Sequence, residues 1–387
     1  MLRKPVYALT VVTGLAFGLS TVGVKAQSPE TQVKNAADQA VKTVTKIVKK
    51  TQQSGKATGR KASATVGRVA RVTAAMTRKM LATPGWDTLR AAYDYDVSAP
   101  DVKEEPVEND KAMIVKLSFT GPGGKPVVGL FMRPKEEGTY PCALLPHGLT
   151  NNKEIAVRMF GNALVAKGIA VLALDAPEHG AGQAPNKNYW TKQIITIAVH
   201  EGDRNYRRAL DYLATRPDVD MKHIGLLGYS LGSIMGSILG AVDERVGAFA
   251  FCGGGDPFIP IAHATPDDKS RQAILQVSPS LFIPKLKGRP LIMFNGLTDV
   301  VIIPPAAKIL QIAAPDPKQV VWYNGGHDVP QPIRTRAVEW LTKQLKGGPP
   351  PEAKDKPSAD KKEGASGDSD KKTDEKRADE KPTENPG

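Results

Sequence analysis

Apolar residues recur with two periods along the middle of the chain, and their alternation sets the expected fold. Residues 112–120 and 127–133 read as strands of a hairpin around Gly121-Pro122-Gly123-Gly124. Short continuous apolar runs follow at residues 142–146, 169–174, 223–229, 246–252, 290–294 and 320–323. Between them lie stretches with helical spacing, at residues 154–167, 198–215, 231–242, 305–313 and 332–345. Strands that are apolar throughout, rather than alternating, are strands buried on two faces. The pattern therefore predicts an α/β fold, with a mostly parallel sheet covered by helices on both sides. No internal repeat is visible.

The two ends of the chain follow other patterns. Arg3 and Lys4 precede an uncharged, largely apolar stretch over residues 6–19, and Val24-Lys25-Ala26 offers a small residue for cleavage. Residues 1–26 thus read as a signal peptide, which implies an exported protein, periplasmic, envelope-associated or secreted. In residues 27–83, Val33, Ala37, Val41, Val44 and Val48 fall on one helical face, with Lys42, Lys46, Lys49 and Lys50 opposite. Val66, Val69, Thr73, Met76 and Met80 repeat the pattern after a polar break. This is a basic arm, amphipathic helical or flexible, that could serve as a tether or meet an anionic membrane or polymer. Residues 349–387 carry no aromatic or branched aliphatic side chain and predict a disordered tail. Residues 84–348 remain as one catalytic-sized domain.

Charge sharpens this division. The formal net charge is +13, yet residues 27–83 alone hold twelve basic against two acidic side chains, and residues 349–387 hold nine against eleven. The central domain is therefore close to neutral. That gives no support to a basic field for anionic substrates, and nucleic acid is not an expected partner. The two cysteines, Cys142 and Cys252, fall on strands the pattern does not place side by side, so buried free thiols are expected. No metal-ligand spacing is present, and no cofactor is expected.

The candidate chemistry centres on Gly228-Tyr229-Ser230-Leu231-Gly232. The pattern G-x-S-x-G is short, but a strand runs into it and a helix leaves it. In that setting the serine sits on a sharp turn that presents its hydroxyl. Gly232, Gly236 and Gly240 then repeat every four residues, a flat face for a helix lying close to the sheet. A serine hydroxyl needs a base, and the base needs a carboxylate to orient it. Of the six histidines, His327 lies on the Gly-rich loop Asn324-Gly325-Gly326-His327-Asp328 after the last strand. His223 opens a strand and His200 lies on a helix, both structural positions. Asp299 and Asp256 each follow a strand between Ser230 and His327; Asp299 is the preferred acid and Asp256 its rival. Asp328, next to the base, reads as a capping residue.

These residues resemble the α/β-hydrolase superfamily over residues 110–346, in the order Ser230, Asp299, His327. Within it the chain is similar to dienelactone hydrolase-like and acetyl xylan esterase-like members. His147-Gly148, Asp175-Ala176-Pro177-Glu178-His179-Gly180, and Gly296-Leu297-Thr298-Asp299 with Pro304-Pro305 carry that likeness. Dienelactone hydrolases use a cysteine nucleophile, so the serine here departs from them. The resemblance implies an α/β-hydrolase fold and a serine esterase acting on a small ester or an acylated saccharide. It also implies an oxyanion hole from the backbone N–H groups of Leu231 and Leu149, with His147 shaping the second loop. His179 is expected to support its own loop near the pocket. His179, Tyr189, Trp190 and Phe258 are the candidate substrate contacts, the last three from insertions over residues 181–190 and 257–287. Two other readings stand beside the esterase: a peptidase or amidase of the same fold, and an envelope-associated binding protein whose arm is the function.

Overall fold

Nine strands and nine helices account for most of residues 83–97, 101–180 and 192–347, which a computed structural model of the protein describes. The expectations for the leader, the basic arm up to residue 82, the pair Tyr189 and Trp190, and the tail lie outside the described residues. Helix α1 (Trp86–Ala91) is followed by β1 (Lys103–Val107), β2 (Ala112–Thr120), β3 (Pro126–Pro134) and β4 (Tyr140–Leu144). A helical stretch follows: α2 (Lys153–Ala156), a π turn (Val157–Gly161) and α3 (Asn162–Ala166). Then come β5 (Ala170–Leu174), α4 (Lys192–Leu213), β6 (Val219–Tyr229), α5 (Leu231–Val242) and β7 (Val246–Cys252). The rest is α6 (Phe258–Ala264), α7 (Asp268–Leu275), β8 (Leu291–Gly296), α8 (Pro304–Ala313), β9 (Lys318–Tyr323) and α9 (Gln331–Leu345).

The strands form one sheet in the order β1-β2-β3-β5-β4-β6-β7-β8-β9. The first three are antiparallel to one another, and β3 pairs antiparallel with β5. From β5 to β9 every pairing is parallel. Successive residues of the inner strands feed opposite cores. Cys142 and Leu144 face one side and Ala143 and Leu145 the other; Phe249 and Phe251 oppose Ala248 and Ala250. Helices α4 and α5 cover the first face, and α2, α3 and α9 the second. All five residues of β5 are buried, which is why its sequence shows no polar alternation.

The sequence pattern missed β1. Lys103, Glu104 and Glu105 are exposed on this edge strand, and charge on an edge discourages pairing with a further chain while hiding the strand from any apolar template. Helices α6 and α7 fall in the insertion over residues 257–287, where no element had been assigned. Cys142 lies on β4 and Cys252 on β7 with β6 between them, and both are buried free thiols, as expected. Burial pushes the Cys252 thiol up to about 12 and raises Cys142 as well, so neither supplies a thiolate near neutral pH.

Helix α5 lies against the sheet as its glycine spacing predicts. A Cβ on Gly236 would come within 2.5 Å of Leu226, and one on Gly240 within 2.4 Å of Phe249. At Gly232 it would fall 1.9 Å from the carbonyl oxygen of Pro146, so any larger residue forces the helix away from the loop after β4.

Candidate active site

The C-terminal ends of the parallel strands converge on Ser230. Its backbone has φ 53° and ψ −114°, a conformation that non-glycine residues adopt at a cost of about 1–3 kcal/mol. Such a turn persists because its surroundings over-determine it. The Ser230 N–H donates to the carbonyl of Cys252 at 2.8 Å, and the Tyr229 N–H to that of Pro146 at 3.2 Å. A Cβ at Gly228 would lie 2.4 Å from the Gly232 carbonyl oxygen, so the pattern's first glycine is a steric requirement.

Three side chains form one hydrogen-bonded line. His327 Nδ1 lies 2.8 Å from Asp299 Oδ2, and His327 Nε2 lies 2.8 Å from Ser230 Oγ. A carboxylate accepts only, so Nδ1 carries the proton and Nε2 receives the hydroxyl's hydrogen. Asp299 is buried, and its Oδ1 accepts from the N–H groups of Val301 (2.8 Å) and Ile302 (2.9 Å). The carboxylate is thereby aimed before any substrate arrives. The rival Asp256 is also buried, but its Oδ2 accepts from the Ser280 hydroxyl at 2.5 Å and the Ser280 N–H at 3.1 Å.

Beside Ser230, the loops after β4 and β5 are stitched together by buried polar groups. The Lys153 ammonium meets Asp175 Oδ2 at 2.7 Å, while the Lys153 N–H donates to Asp175 Oδ1 at 2.9 Å. Gly180, at φ 90°, passes so close to that carboxylate that a Cβ would sit 1.9 Å from Oδ2. Of the expected oxyanion donors, Leu231 directly follows the serine, and Leu149 lies in the loop after β4, whose Pro146 carbonyl accepts from the Tyr229 N–H. Leu231 is the first residue of α5, where a helix leaves its N–H without an internal partner. The Leu149 N–H likewise donates to no acceptor among the described residues.

The other histidines take structural places. His147 is buried, and burial lowers it to about 4. His179 turns Nδ1 to the Pro177 carbonyl (2.7 Å) and Nε2 to the Leu149 carbonyl. Phe258 opens α6 with its ring buried in the core on the α4 and α5 side of the sheet. His200 stacks on Tyr93 with centroids 4.7 Å apart, and His223 pairs with Asp220 at 2.6 Å on the exposed start of β6. Sequence reasoning missed Lys153, Asn295 and Gln311. Asn295 Nδ2 donates to the Gly254 carbonyl and its Oδ1 accepts from Gln311, both at 2.8 Å, which ties the loop after β7 to the end of β8 and to α8. Spacing carried no signal for these contacts, because each joins separate elements of the chain. Among the described residues no group of His, Cys, Asp and Glu is placed to hold a metal ion.

A family model described as "Esterase FrsA-like" matches residues 44–273, more than half of the chain. The chain belongs to the FrsA-like esterase family. Esterase FrsA of Klebsiella pneumoniae subsp. pneumoniae is 27% identical over 187 residues, covering 48% of this chain and 40% of that protein. Esterase FrsA of Salmonella newport is 25% identical over the same share. The chain thus spans well under half the length of these FrsA relatives. An acetyl xylan esterase from a Paenibacillus species has the same fold, with a TM-score of 0.56 at 18% identity over 70% of this chain and 99% of that one. Acetyl xylan esterase 1 from a Thermoanaerobacterium species aligns with a TM-score of 0.54 at 16% identity, over 68% and 99%. The α/β-hydrolase fold expected from the motifs holds, and the family within it is FrsA-like. The matched segment contains Ser230 and stops before Asp299 and His327.

Proposed function

We propose that this FrsA-like protein is a serine esterase, with Ser230 as nucleophile, His327 as base and then acid, and Asp299 as the group that orients His327. The line of two 2.8 Å hydrogen bonds from Asp299 through His327 to Ser230 carries this reading. In the first step Ser230 Oγ attacks the ester carbonyl and its proton passes to His327 Nε2. The carbonyl oxygen becomes an oxyanion held by the N–H groups of Leu149 and Leu231. Donors of this kind contribute about 2.7–4 kcal/mol each. The intermediate then expels the alcohol, which takes its proton from His327 and leaves an acyl-Ser230. Water, deprotonated by His327, attacks that acyl group, and collapse returns the proton to Ser230 and releases the acid.

A small uncharged ester or an acylated saccharide suits a domain of near-neutral charge. The test is a panel of chromogenic acyl esters of rising chain length, with an acetylated saccharide beside them. The wild type should turn over at least one ester, and Ser230→Ala should lose about 10⁶-fold in kcat. Turnover unchanged in Ser230→Ala overturns the assignment.

A further inference from the structure

We infer that His147 is a positioning residue that sets the direction and donor strength of the Leu149 N–H, through the peptide group linking Gly148 to Leu149. This inference rests on the esterase reading above, since it assigns that N–H to the oxyanion. Two contacts carry it. The Ala176 N–H donates to His147 Nε2 at 2.9 Å. An N–H can only donate, so Nε2 must hold its lone pair there and the ring's single proton sits on Nδ1. His147 Nδ1 lies 2.8 Å from the Gly148 carbonyl oxygen, which accepts that proton's hydrogen bond.

The Gly148 carbonyl and the Leu149 N–H belong to one planar peptide and point in opposite directions. Pulling the carbonyl toward His147 therefore aims the N–H away from it. A hydrogen bond accepted at the carbonyl also polarises the amide, so its N–H donates more strongly; chains of this kind reinforce one another. Ala176, His147 and the Gly148–Leu149 peptide thus make a relay that ends on an N–H with no acceptor of its own among the described residues. Burial keeps His147 neutral near pH 7, and neutrality is what the Nε2 lone pair requires. The titratable groups around it are the His179 ring, 5.3 Å away, and the Lys153–Asp175 pair. The Asn151 N–H also donates to the Gly148 carbonyl, at 2.9 Å, so the peptide keeps one anchor when His147 is changed. A partial loss is therefore expected, rather than the loss of a whole oxyanion donor.

The two ring nitrogens do different work, and two substitutions separate them. Asparagine places an amide N–H near the Nδ1 position and keeps the bond to Gly148. Glutamine places an oxygen near the Nε2 position and keeps only the bond from Ala176. Steady-state kinetics on a chromogenic ester and the amide proton shift of Leu149, in full-length protein carrying ¹⁵N-leucine, read both. In His147→Gln, kcat should fall about tenfold with KM changed by less than about twofold, and the Leu149 amide proton should move upfield. In His147→Asn, kcat should stay within about threefold and the resonance should hold its place. Equal losses in the two variants, a loss confined to KM, or an unmoved Leu149 resonance in His147→Gln overturns the inference. Should His147→Gln not fold, His147→Asn decides alone, and a loss of about tenfold or an upfield shift in that folded variant counts against it. If the wild type hydrolyses no ester, the esterase reading fails, and the amide shifts still judge the relay separately.

Discussion

Asp256 and Asp299 stand at the ends of neighbouring parallel strands and are built alike. Both are buried. Asp256 Oδ1 accepts from the N–H groups of Phe258 (2.8 Å) and Ile259 (3.2 Å), and Asp299 Oδ1 from those of Val301 (2.8 Å) and Ile302 (2.9 Å). Each carboxylate thus closes the same local turn two and three residues onward. They differ in what meets the second oxygen. For Asp256 it is the N–H and hydroxyl of Ser280, which fasten the insertion that carries α6 and α7. For Asp299 it is the imidazole of His327. The local turn fixes where a carboxylate points, and a distant segment decides whether it meets a serine of an insertion or an imidazole.

The largest expected effect separates the two. Asp299→Asn keeps an acceptor for Val301 and Ile302 but presents an amide N–H to His327. The imidazole then takes the wrong tautomer, with a proton on Nε2 facing Ser230, and kcat should fall about 10⁴-fold in ester hydrolysis. Asp256→Asn should instead spare kcat to within about threefold and lose about 1–3 kcal/mol in chemical denaturation, because an amide donor now faces the Ser280 donors. If Asp256→Asn is the variant that loses the chemistry, the comparison is broken.

A third buried aspartate extends the contrast at smaller amplitude. Asp203 on α4 is fully buried, and neither of its oxygens has a hydrogen-bond partner among the described residues. Burial raises its carboxyl well above the usual carboxylate range, against the pull of Arg207. The folded protein therefore keeps this proton when the unfolded chain has lost it, above about pH 4. Stability from the protonated group is full below the unfolded value and is lost as pH rises through the folded one. Asp203→Asn lacks that slope. Its Tm should exceed the wild type's, by a margin that grows as pH rises from about 4, and an advantage that shrinks with pH would contradict this.

How much of this the sequence disclosed follows from where each signal is stored. The inner parts of strands β4 to β9 are apolar runs set off by Gly, Pro and Asp, so local pattern sufficed for them but not for the polar starts of β6 and β9. The charged edge strand β1 and the short helices of the insertion carry no such run; pairing with β2 and the Asp256–Ser280 contact hold them. At the site, Ser230 was legible because its strained turn demands glycines at fixed offsets, and His327 because a Gly-rich loop precedes it. Choosing Asp299 over Asp256 rested on its loop position and on the resemblance carried by Gly296-Leu297-Thr298-Asp299, since the local turn is the same at both. The function of His147 was not legible at all beyond loop shaping. Its tautomer is set by the Ala176 amide, 29 residues away in the chain.

Whether the line from Asp299 through His327 makes Ser230 a nucleophile is read out by covalent labelling with a fluorophosphonate probe, mapped by peptide mass spectrometry. A label is expected on Ser230 in the folded wild type, none in Ser230→Ala, and much slower labelling in Asp299→Asn. A folded wild type that stays unlabelled, or a label that persists in Ser230→Ala, would contradict it.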